Sequence, residues 1–418
     1  MSNTGEFGNP AVESLHLFQS PTRVVSIETF FLPPRWLIVR VETADGFIGW
    51  GECGVVSWPQ AAKAAIDEVA ETIIKSDHGG PRDIWDIGTK GRAYMGGAVL
   101  AGAVSAIDQA LWDIAGKRTE LPVHQLLGGK VRDRVKAYSW ITLDEHGREA
   151  IPTAEFAELA AQRVSEGMTA VKIGKPRRGY SAPAYEPIET LARANEIVDH
   201  VAAIRAAIGP NVDLGIDLHG QCSVPMAKRL LPMLEPYELM FAEEPTAAPH
   251  IDGIREVANH TRIPLATGER FHSLTEFKAL LDAGIGVLQP DLNNMGGITE
   301  GRRIADVARA YDVTIAPHCS AGPIGLAAAL QFAFATHNFL VQEQGTDYYS
   351  NREIFPQDYF HYIVEPKPLI PAAGFFELNA RPGLGIEIDE GNLRELSTTA
   401  NTWAPPVLRR KDRSFAQW

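Results

Sequence analysis

Hydrophobic and polar residues alternate in the first part of the chain, in VVSIETFFL (24–32) and WLIVRVETADGFIGWGE (36–52). Alternation with period two predicts β-strands, and the Asp45-Gly46 pair between apolar alternations predicts a hairpin. Apolar residues then recur every three or four positions in AAKAAIDEVAETII and AVSAIDQALWDIAGK, which predicts helices. Residues 22–134 are therefore expected to form an α+β domain, a three-stranded meander followed by helices.

Strand-like and helix-like segments alternate after Gly128-Gly129. The strand candidates are VKAYSWI (135–141), TAVKIG (169–174), VDLGIDLHG (212–220), LMFAEEP (239–245), IPLATGER (263–270), GVLQPD (286–291), VTIAPH (313–318) and FLVQEQ (339–344). Between them lie amphipathic segments such as ANEIVDHVAAIRAAIG, and no two strands are joined by a hairpin turn. This pattern predicts an α/β barrel, a modified TIM barrel, over residues 135–365.

The two ends of the chain lack the regular hydrophobic patterns of the rest. Residues 1–21 are polar and contain Gly and Pro, which predicts a flexible extension. Residues 366–418 are irregular, and we expect this C-terminal segment to pack on the leading α+β domain and complete it.

Composition narrows the class of protein. The chain has 418 residues, of which 45% are apolar, and a net charge of −13 with acidic and basic residues interspersed, which argues against a nucleic-acid partner. The three cysteines form no CxxC pair, which favours a reducing compartment. Because no apolar run reaches about 18 residues, we expect no membrane span and a cytoplasmic location.

Three carboxylates, Asp217, Glu243 and Glu269, stand 26 residues apart, and each ends a short apolar run. One strand–helix unit of a βα barrel has about that length, so the three acids are expected at the C-terminal ends of neighbouring strands. Converging carboxylates repel each other, which predicts a divalent cation between them. All-oxygen ligands favour Mg²⁺, with Mn²⁺ as a substitute.

Further ionisable residues end the other strands. Asp291 and His318 follow strands six and seven, and a carboxylate bonded to one imidazole nitrogen raises the basicity of the other. His219, two residues after Asp217, is expected to point the same way on an extended strand, beside a metal-bound substrate. The alternatives are an ordinary buried Asp–His pair and a histidine bonded to backbone.

Three more charged residues have two interpretations each. Glu343 is either a group that hydrogen-bonds a substrate oxygen or a solvated loop acid. Lys172 either neutralises a substrate carboxylate or pairs with one of the acids. Glu244, next to Glu243, faces the opposite side of a strand and is expected to be structural.

Together, a base, a metal and an acid predict one type of reaction. The α-proton of a carboxylate is weakly acidic because its removal adds a second negative charge, and a metal on the carboxylate stabilises that charge. A second histidine can protonate a departing β-hydroxyl. The residues thus predict β-elimination of water from a hydroxy acid.

The order of these residues resembles the mandelate racemase branch of the enolase superfamily, and within it the galactonate dehydratases. The shared stretches are LPPRW (32–36), GWGE (49–52), IDQALWDI (107–114), LLGG (126–129), VRD and KAYSW (131–140), DLHG (217–220), EEP (243–245), GER (268–270), LQPDL (288–292), GGIT (296–299), YDVTIAPHC (311–319), QEQ (342–344) and GLGIEID (383–389). They cover roughly residues 23–418.

The resemblance implies a role for each residue. Asp217, Glu243 and Glu269 would bind Mg²⁺, His318 with Asp291 would remove the C2 proton, His219 would assist loss of the 3-hydroxyl, and Glu343 would stabilise the enediolate. The product would be a 2-keto-3-deoxy sugar acid. The resemblance also implies an enolase-type fold with a capping domain, and a homo-oligomer, either a tetramer or an octamer.

Departures from the galactonate dehydratase pattern concern recognition rather than chemistry. Lys172-Ile173-Gly174 lacks the expected Asn, Met95 stands where an Arg is expected, and the segments CGVVSWP (53–59) and QEQGTDYYSN (342–351) differ. The sugar therefore stays open. Alternatives are a sugar-lactone cycloisomerase or racemase, and a non-catalytic sugar-acid binding protein; a binuclear hydrolase is disfavoured because strand one lacks His-x-His.

Overall fold

The computed structural model describes residues 23–76, 80–91, 93, 96–142, 152–174, 187–350, 358, 360–400, 407–410 and 412–416. The predicted extension (1–21) and Met95 lie outside these residues. All structural statements below concern the described part of the chain.

An antiparallel sheet in the order β1-β2-β3 opens the fold, as the alternating pattern predicts. Its strands are β1 (Val24–Leu32), β2 (Trp36–Thr43) and β3 (Ile48–Cys53). The β2–β3 turn contains Gly46 at φ +83°, a conformation that glycine adopts without steric cost. The following helices are α1 (Pro59–Ile74), α2 (Pro81–Lys90), α3 (Ala98–Thr119) and α4 (Val123–Leu126).

Helix α3 packs directly against β3, and two glycines of the GWGE stretch permit this approach. A Cβ at Gly49 would lie 2.0 Å from the carbonyl oxygen of Ala110, and one at Gly51 1.9 Å from that of Ala106. Helix α3 is also, among the described residues, the one helix long and apolar enough to cross a membrane, but 72% of its most apolar window is buried inside the fold. Its apolar character is that of a core helix.

The barrel sheet is parallel, with seven strands in sequence order. They are β5 (Ser139–Ile141), β6 (Ala170–Gly174), β7 (Asp213–Asp217), β8 (Phe241–Glu243), β9 (Leu265–Thr267), β10 (Val287–Leu288) and β11 (Thr314–Ile315). The predicted eighth strand forms single parallel bridges to both edges, Ile315 to Phe339 and Ala137 to Gln342, so the barrel closes without a regular eighth strand. A modified TIM barrel is confirmed.

Helices cover the outside of the barrel, where the amphipathic segments predict them. They are α5 (Thr153–Ser165), α6 (Leu191–Ile208), α7 (Val224–Leu234), α8 (Ile251–Ala258), α9 (Leu274–Asp282), α10 (Gly297–Ala310) and α11 (Pro323–Ala335). The short α12 (Thr346–Tyr349) instead packs on Trp140 of β5 through Tyr348 and Tyr349.

The C-terminal segment packs on the α+β domain. It contains β12 (Phe375–Glu377), which pairs antiparallel with β4 (Arg134–Lys136), and α13 (Glu390–Thr398). The first predicted barrel strand is thus split, since its start pairs with β12 and its end with β6. Arg40 of β2 lies 3.3 Å from Glu390 of α13. The predicted fold class, a barrel with a capping domain completed by the C-terminal segment, is confirmed, while the domain boundaries stay predictions.

Asp113 of α3 joins the capping domain to this segment, and its replacement by asparagine is expected to destabilise the fold. Its buried carboxylate accepts the N–H of Leu384 (2.9 Å) on one oxygen, and the N–H of Trp50 (3.2 Å) and the Lys117 ammonium (2.7 Å) on the other. An amide has one acceptor oxygen, so either orientation of the substituted side chain places an NH₂ group against a backbone N–H. For Asp113→Asn we expect a loss of about 1–3 kcal/mol in the free energy of unfolding, measured by chemical denaturation.

The matched control is Asp67→Asn, which removes an exposed Lys63–Asp67 pair and is expected to change the unfolding free energy by less than about 0.5 kcal/mol. If Asp113→Asn is as stable as this control, the three bonds do not secure the C-terminal segment.

Candidate active site

The alternation of side chains along the barrel strands places the charged residues at one end. A buried layer of mainly apolar residues fills the interior, one from nearly every strand: Tyr138, Ala170, Phe241, Ala266, Val287, Ala316 and Val341. Residues two positions further along a strand face the same side, one layer nearer the C-terminal mouth. That next layer contains Trp140, Lys172, Glu243, Gln289, His318 and Glu343, with Asp217 two residues after Gly215 on β7. Period two thus positions most of the predicted site, whereas Glu269 lies three residues after Ala266 and outside this register, just beyond the end of β9.

Lys172 lies at the centre of the carboxylates. Its Nζ is 2.7 Å from Glu243 Oε2, 2.8 Å from Glu343 Oε1 and 3.7 Å from Asp217 Oδ2, and the side chain is only 4% exposed. Burial disfavours the ammonium form, but the charges of Glu243 and Glu343 outweigh it and raise the pKa of Lys172 well above its ordinary value. Lys172 therefore pairs with the acids in this structure, and its predicted contact with a substrate carboxylate stays a prediction.

Asp217 and His219 are in contact, although not through the extended geometry that their spacing predicts. Strand β7 ends at Asp217, and His219 has φ +49°. Its backbone N–H donates to Asp217 Oδ1 (2.9 Å), and its Nε2 lies 3.0 Å from Asp217 Oδ2. Burial opposes ionisation of Asp217, yet His219 and Lys172 lower the pKa of this carboxyl far below its ordinary value.

His318 stands between carboxylates on both ring nitrogens. Nδ1 lies 2.7 Å from Asp291 Oδ2, while Nε2 lies 3.2 Å from Glu269 Oε2 and 3.8 Å from Glu343 Oε2. Burial disfavours the imidazolium, but the charges of Glu269 and Glu343 raise the pKa of His318 well above its ordinary value. The predicted Asp291–His318 pair is therefore present as a direct contact.

Glu343 is a buried acid rather than a solvated one. Its Oε1 accepts from Trp140 Nε1 (2.8 Å) and contacts Lys172, and its Oε2 accepts the N–H of Cys319 (2.8 Å). Burial raises its pKa, but Lys172 and His318 bring the pKa of Glu343 down to about 2. The carboxylate form is thus stable without a metal.

Glu243 and Glu244 face different surroundings, although strand β8 ends at Glu243 and Glu244 lies just beyond it. Glu243 is fully buried and its Oε1 has no hydrogen-bond partner among the described residues. Burial and the charge of Asp217 raise the pKa of Glu243 to about 8. Glu244, at φ +40°, pairs with Arg270 (3.0 Å). The same Arg270 contacts Glu269 through Nε (3.2 Å).

Whether these residues suit a divalent cation can be judged from their oxygens. No group of three or more His, Cys, Asp or Glu side chains in the described ranges has metal-binding geometry, and the carboxylates lie instead against Lys172, His219, Arg270 and His318. The donor set nevertheless fits Mg²⁺: the three carboxylates, of which Asp217 and Glu243 are buried, repel each other, and one oxygen of Glu243 has no partner among the described residues. Asp217 and Glu243 are also direct neighbours in the register of β7 and β8.

Sequence reasoning missed several residues of this cluster. Trp140 and Gln289 share the inward positions of the charged layer, so period two could have found them. Arg270 directly follows Glu269, but its pairing with Glu244 on the preceding strand has no sequence signal. Asn293 and Asn294 donate hydrogen bonds to Asp291 and lie two and three residues after it, so their position in the sequence could have indicated this contact.

A closed βα barrel with acids and histidines at its mouth, covered by an α+β domain, defines an enzyme of the enolase superfamily type. Family models agree: the enolase C-terminal domain-like model matches residues 155–392, and the mandelate racemase/muconate lactonizing enzyme N-terminal domain model matches residues 18–128. The chain belongs to the mandelate racemase/muconate lactonizing enzyme branch of the enolase superfamily.

Solved structures of similar proteins cover nearly the whole chain. The mandelate racemase/muconate lactonizing enzyme from Jannaschia sp. CCS1 is 31% identical, with 91% of this chain and 98% of that chain covered and a TM-score of 0.80. A protein from Burkholderia SAR-1 that is provisionally assigned to the same group is 30% identical, with 94% and 100% covered and a TM-score of 0.82. A provisionally assigned dehydratase from Zymomonas mobilis ZM4 is 29% identical, with 90% and 98% covered and a TM-score of 0.81.

Proposed function

We propose that this protein is a Mg²⁺-dependent acid-sugar dehydratase, which converts an aldonate such as galactonate into a 2-keto-3-deoxy sugar acid. The observation that carries the proposal is a pair of histidines at one barrel mouth, each bonded to its own carboxylate: His318 to Asp291 and His219 to Asp217. Solved relatives assigned as dehydratases support the reaction type.

His318 is the proposed base. Asp291 accepts the Nδ1–H, which fixes the ring orientation, and Nε2 is the nitrogen proposed to take the C2 proton of the substrate. Nε2 faces Glu269 and Glu343, whose charges favour the imidazolium in the metal-free protein; the positive charge of a bound cation would offset them and favour the neutral base. Asp291 is buried and the His318 side chain is only 13% exposed, so solvent competes little for the transferred proton.

The metal would be held by Asp217, Glu243 and Glu269. When bound, it supplies positive charge against the negative charge that develops on the substrate carboxylate as C2 loses its proton. Glu343, fixed by Trp140 and Cys319, is proposed to contact a substrate oxygen, and Lys172 to hold Glu243 and Glu343 in place.

His219 is the proposed acid that protonates the departing 3-hydroxyl. Replacing it is expected to block dehydration but not the earlier removal of the C2 proton, so the two steps can be measured separately. Incubation of the wild-type protein and Mg²⁺ with a panel of aldonates and aldarates should release a 2-keto-3-deoxy acid from at least one of them. His219→Asn is expected to lower this release by about 10²–10⁴-fold while exchange of the C2 proton in D₂O continues, because His318 is intact.

Other outcomes of this experiment would assign a different function to the protein. Wild-type exchange at C2 without keto acid would replace dehydration by racemisation or cycloisomerisation, which use the same first step. Tight aldonate binding by calorimetry without exchange or turnover would indicate a binding protein.

We also propose that the protein is a cytoplasmic homo-oligomer, a tetramer or octamer, without nucleic-acid or membrane partners. Sedimentation analysis tests the number of subunits in the assembly.

A further inference from the structure

Two buried amide side chains connect the capping domain to the Asp291–His318 pair. Gln109 of α3 and Asn293, which follows β10, are both completely buried. Gln109 Nε2 donates to Asn293 Oδ1 (3.1 Å) and to the carbonyl of Leu292 (2.9 Å), and Gln109 Oε1 accepts the N–H of Glu52 (3.0 Å). The link therefore begins in β3 and α3, outside the barrel.

The direction of the hydrogen bonds between these amides determines how Asp291, and with it His318, is oriented. Because Gln109 donates to the oxygen of Asn293, the NH₂ group of Asn293 is directed to Asp291, and Asn293 Nδ2 donates to Asp291 Oδ1 (2.8 Å). The backbone N–H of Asn293 donates to the same oxygen (2.8 Å). Asp291 Oδ2 is thereby left to face His318 Nδ1 at 2.7 Å, with a further bond from Asn294 Nδ2 at 3.0 Å.

Packing holds Asn293 in this orientation. A Cβ at Gly325 would lie 2.3 Å from Asn293 Oδ1, so the side chain fills the space that glycine leaves. The N–H of Gly325 donates to Glu52 Oε2 (2.9 Å), and the N–H of Gly54 donates to the carbonyl of Asn293 (3.0 Å). Three capping-domain residues are thus in contact with the barrel here. Gln109 and Gly54 bond the segment that carries Asp291, and Glu52 bonds α11, the helix that follows His318 in the chain.

We propose that Asn293 and Gln109 are positioning residues: the capping domain sets the orientation of Asp291, and through it of His318, from behind the barrel mouth. This role is separate from any contact between capping loops and substrate. It rests on the proposed function, in which His318 is the base. Removing either amide weakens the hold on Asp291 Oδ1, which then depends more on the backbone N–H of Asn293, so the orientation of Asp291 and of the imidazole is less strictly fixed.

The experiment compares Asn293→Ala and Gln109→Met with Thr299→Val as a matched control. Thr299 Oγ1 accepts from Trp112 Nε1 (2.9 Å) and donates to Asp108, so it lies at the same buried α3–barrel interface without touching the dyad. With Mg²⁺ and an aldonate substrate, both test variants are expected to lower kcat by about 10–100-fold with KM unchanged, whereas Thr299→Val keeps kcat. Unfolding free energies are measured for all three.

A second readout needs no substrate. The Nδ1–H proton of His318, assigned by its absence in His318→Asn, is followed by NMR in the Mg²⁺-loaded wild-type protein. Asn293→Ala and Gln109→Met should shift this resonance or speed its exchange with water, and Thr299→Val should not.

The outcomes separate this inference from the proposed function. An unchanged His318 resonance in Asn293→Ala overturns the positioning role, as does an equal loss of kcat in Thr299→Val at equal stability. If no aldonate is turned over by the wild-type protein but the resonance responds as expected, the proposed function fails and the positioning role stands.

Discussion

Replacing His318 by asparagine is expected to lower kcat for aldonate dehydration by about 10³–10⁴-fold and to abolish exchange of the C2 proton in D₂O. Asparagine retains a polar group near Asp291 but has no nitrogen that can accept a proton at neutral pH. The remaining site, including the carboxylates and His219, stays in place, so KM should change little. The measurement is steady-state kinetics together with deuterium incorporation followed by NMR.

The control for this variant is another buried histidine. His124 is 1% exposed and its Nδ1 lies 2.9 Å from Gln331, outside the catalytic cluster. His124→Asn is expected to lower stability and leave kcat unchanged. Full C2 exchange in His318→Asn would assign the base elsewhere and remove the central step of the proposed mechanism.

Much of the site could be predicted because it follows from strand period and strand spacing. The 26-residue interval places Asp217, Glu243 and Glu269 at the ends of three neighbouring strands, and the structure has them there, at or just after β7, β8 and β9. Asp291 and His318 are in contact because adjacent parallel strands end at the same edge. Their assigned roles remain predictions.

Other features depend on contacts that one sequence cannot display. Lys172 contacts three carboxylates on other strands, and Arg270 bridges Glu244 and Glu269. These ion pairs form between residues far apart in sequence, so no local pattern predicts which acid each cation contacts. The geometry at His219 follows from a positive φ after β7 rather than from the strand period. The Gln109–Asn293 bond joins residues 184 positions apart, beyond any local pattern.

If the protein is an acid-sugar dehydratase as proposed, we expect the identity of the sugar to depend on the segments that depart from the galactonate dehydratase pattern. Trp58, which precedes α1, is 66% exposed, and Tyr348 of α12 packs against Trp140 with ring centroids 6.0 Å apart. Trp140 in turn bonds Glu343. Trp58 and Tyr348 belong to stretches that differ from the pattern, whereas Trp140 belongs to a shared one. We therefore expect substrate choice to vary with the first two residues while the charged layer is kept.

The second large effect is expected at Glu243. The charged form of Glu243 is disfavoured in the metal-free protein, because burial and the charge of Asp217 raise its pKa to about 8. We therefore expect Mg²⁺ to bind at this carboxylate and to raise the melting temperature of the wild-type protein. At a concentration 100 times Kd, the stabilisation would be about 2.7 kcal/mol. Glu243→Gln keeps the shape of the side chain but removes a charged ligand; we expect it to lose both the Mg²⁺-induced rise in melting temperature and turnover, measured by calorimetry with EDTA or MgCl₂ and by keto-acid release.

Glu244→Gln is the discriminating control, because the two glutamates are adjacent in sequence yet face different partners. Glu244 pairs with Arg270, so its replacement should lower the melting temperature in EDTA and preserve the rise on adding Mg²⁺. Loss of the rise in Glu244→Gln with its retention in Glu243→Gln would reverse the ligand assignment that the 26-residue spacing predicts. Equal behaviour of wild type and Glu243→Gln in Mg²⁺ would remove Glu243 from the metal site and leave its buried, unpaired oxygen to be explained by a different ligand.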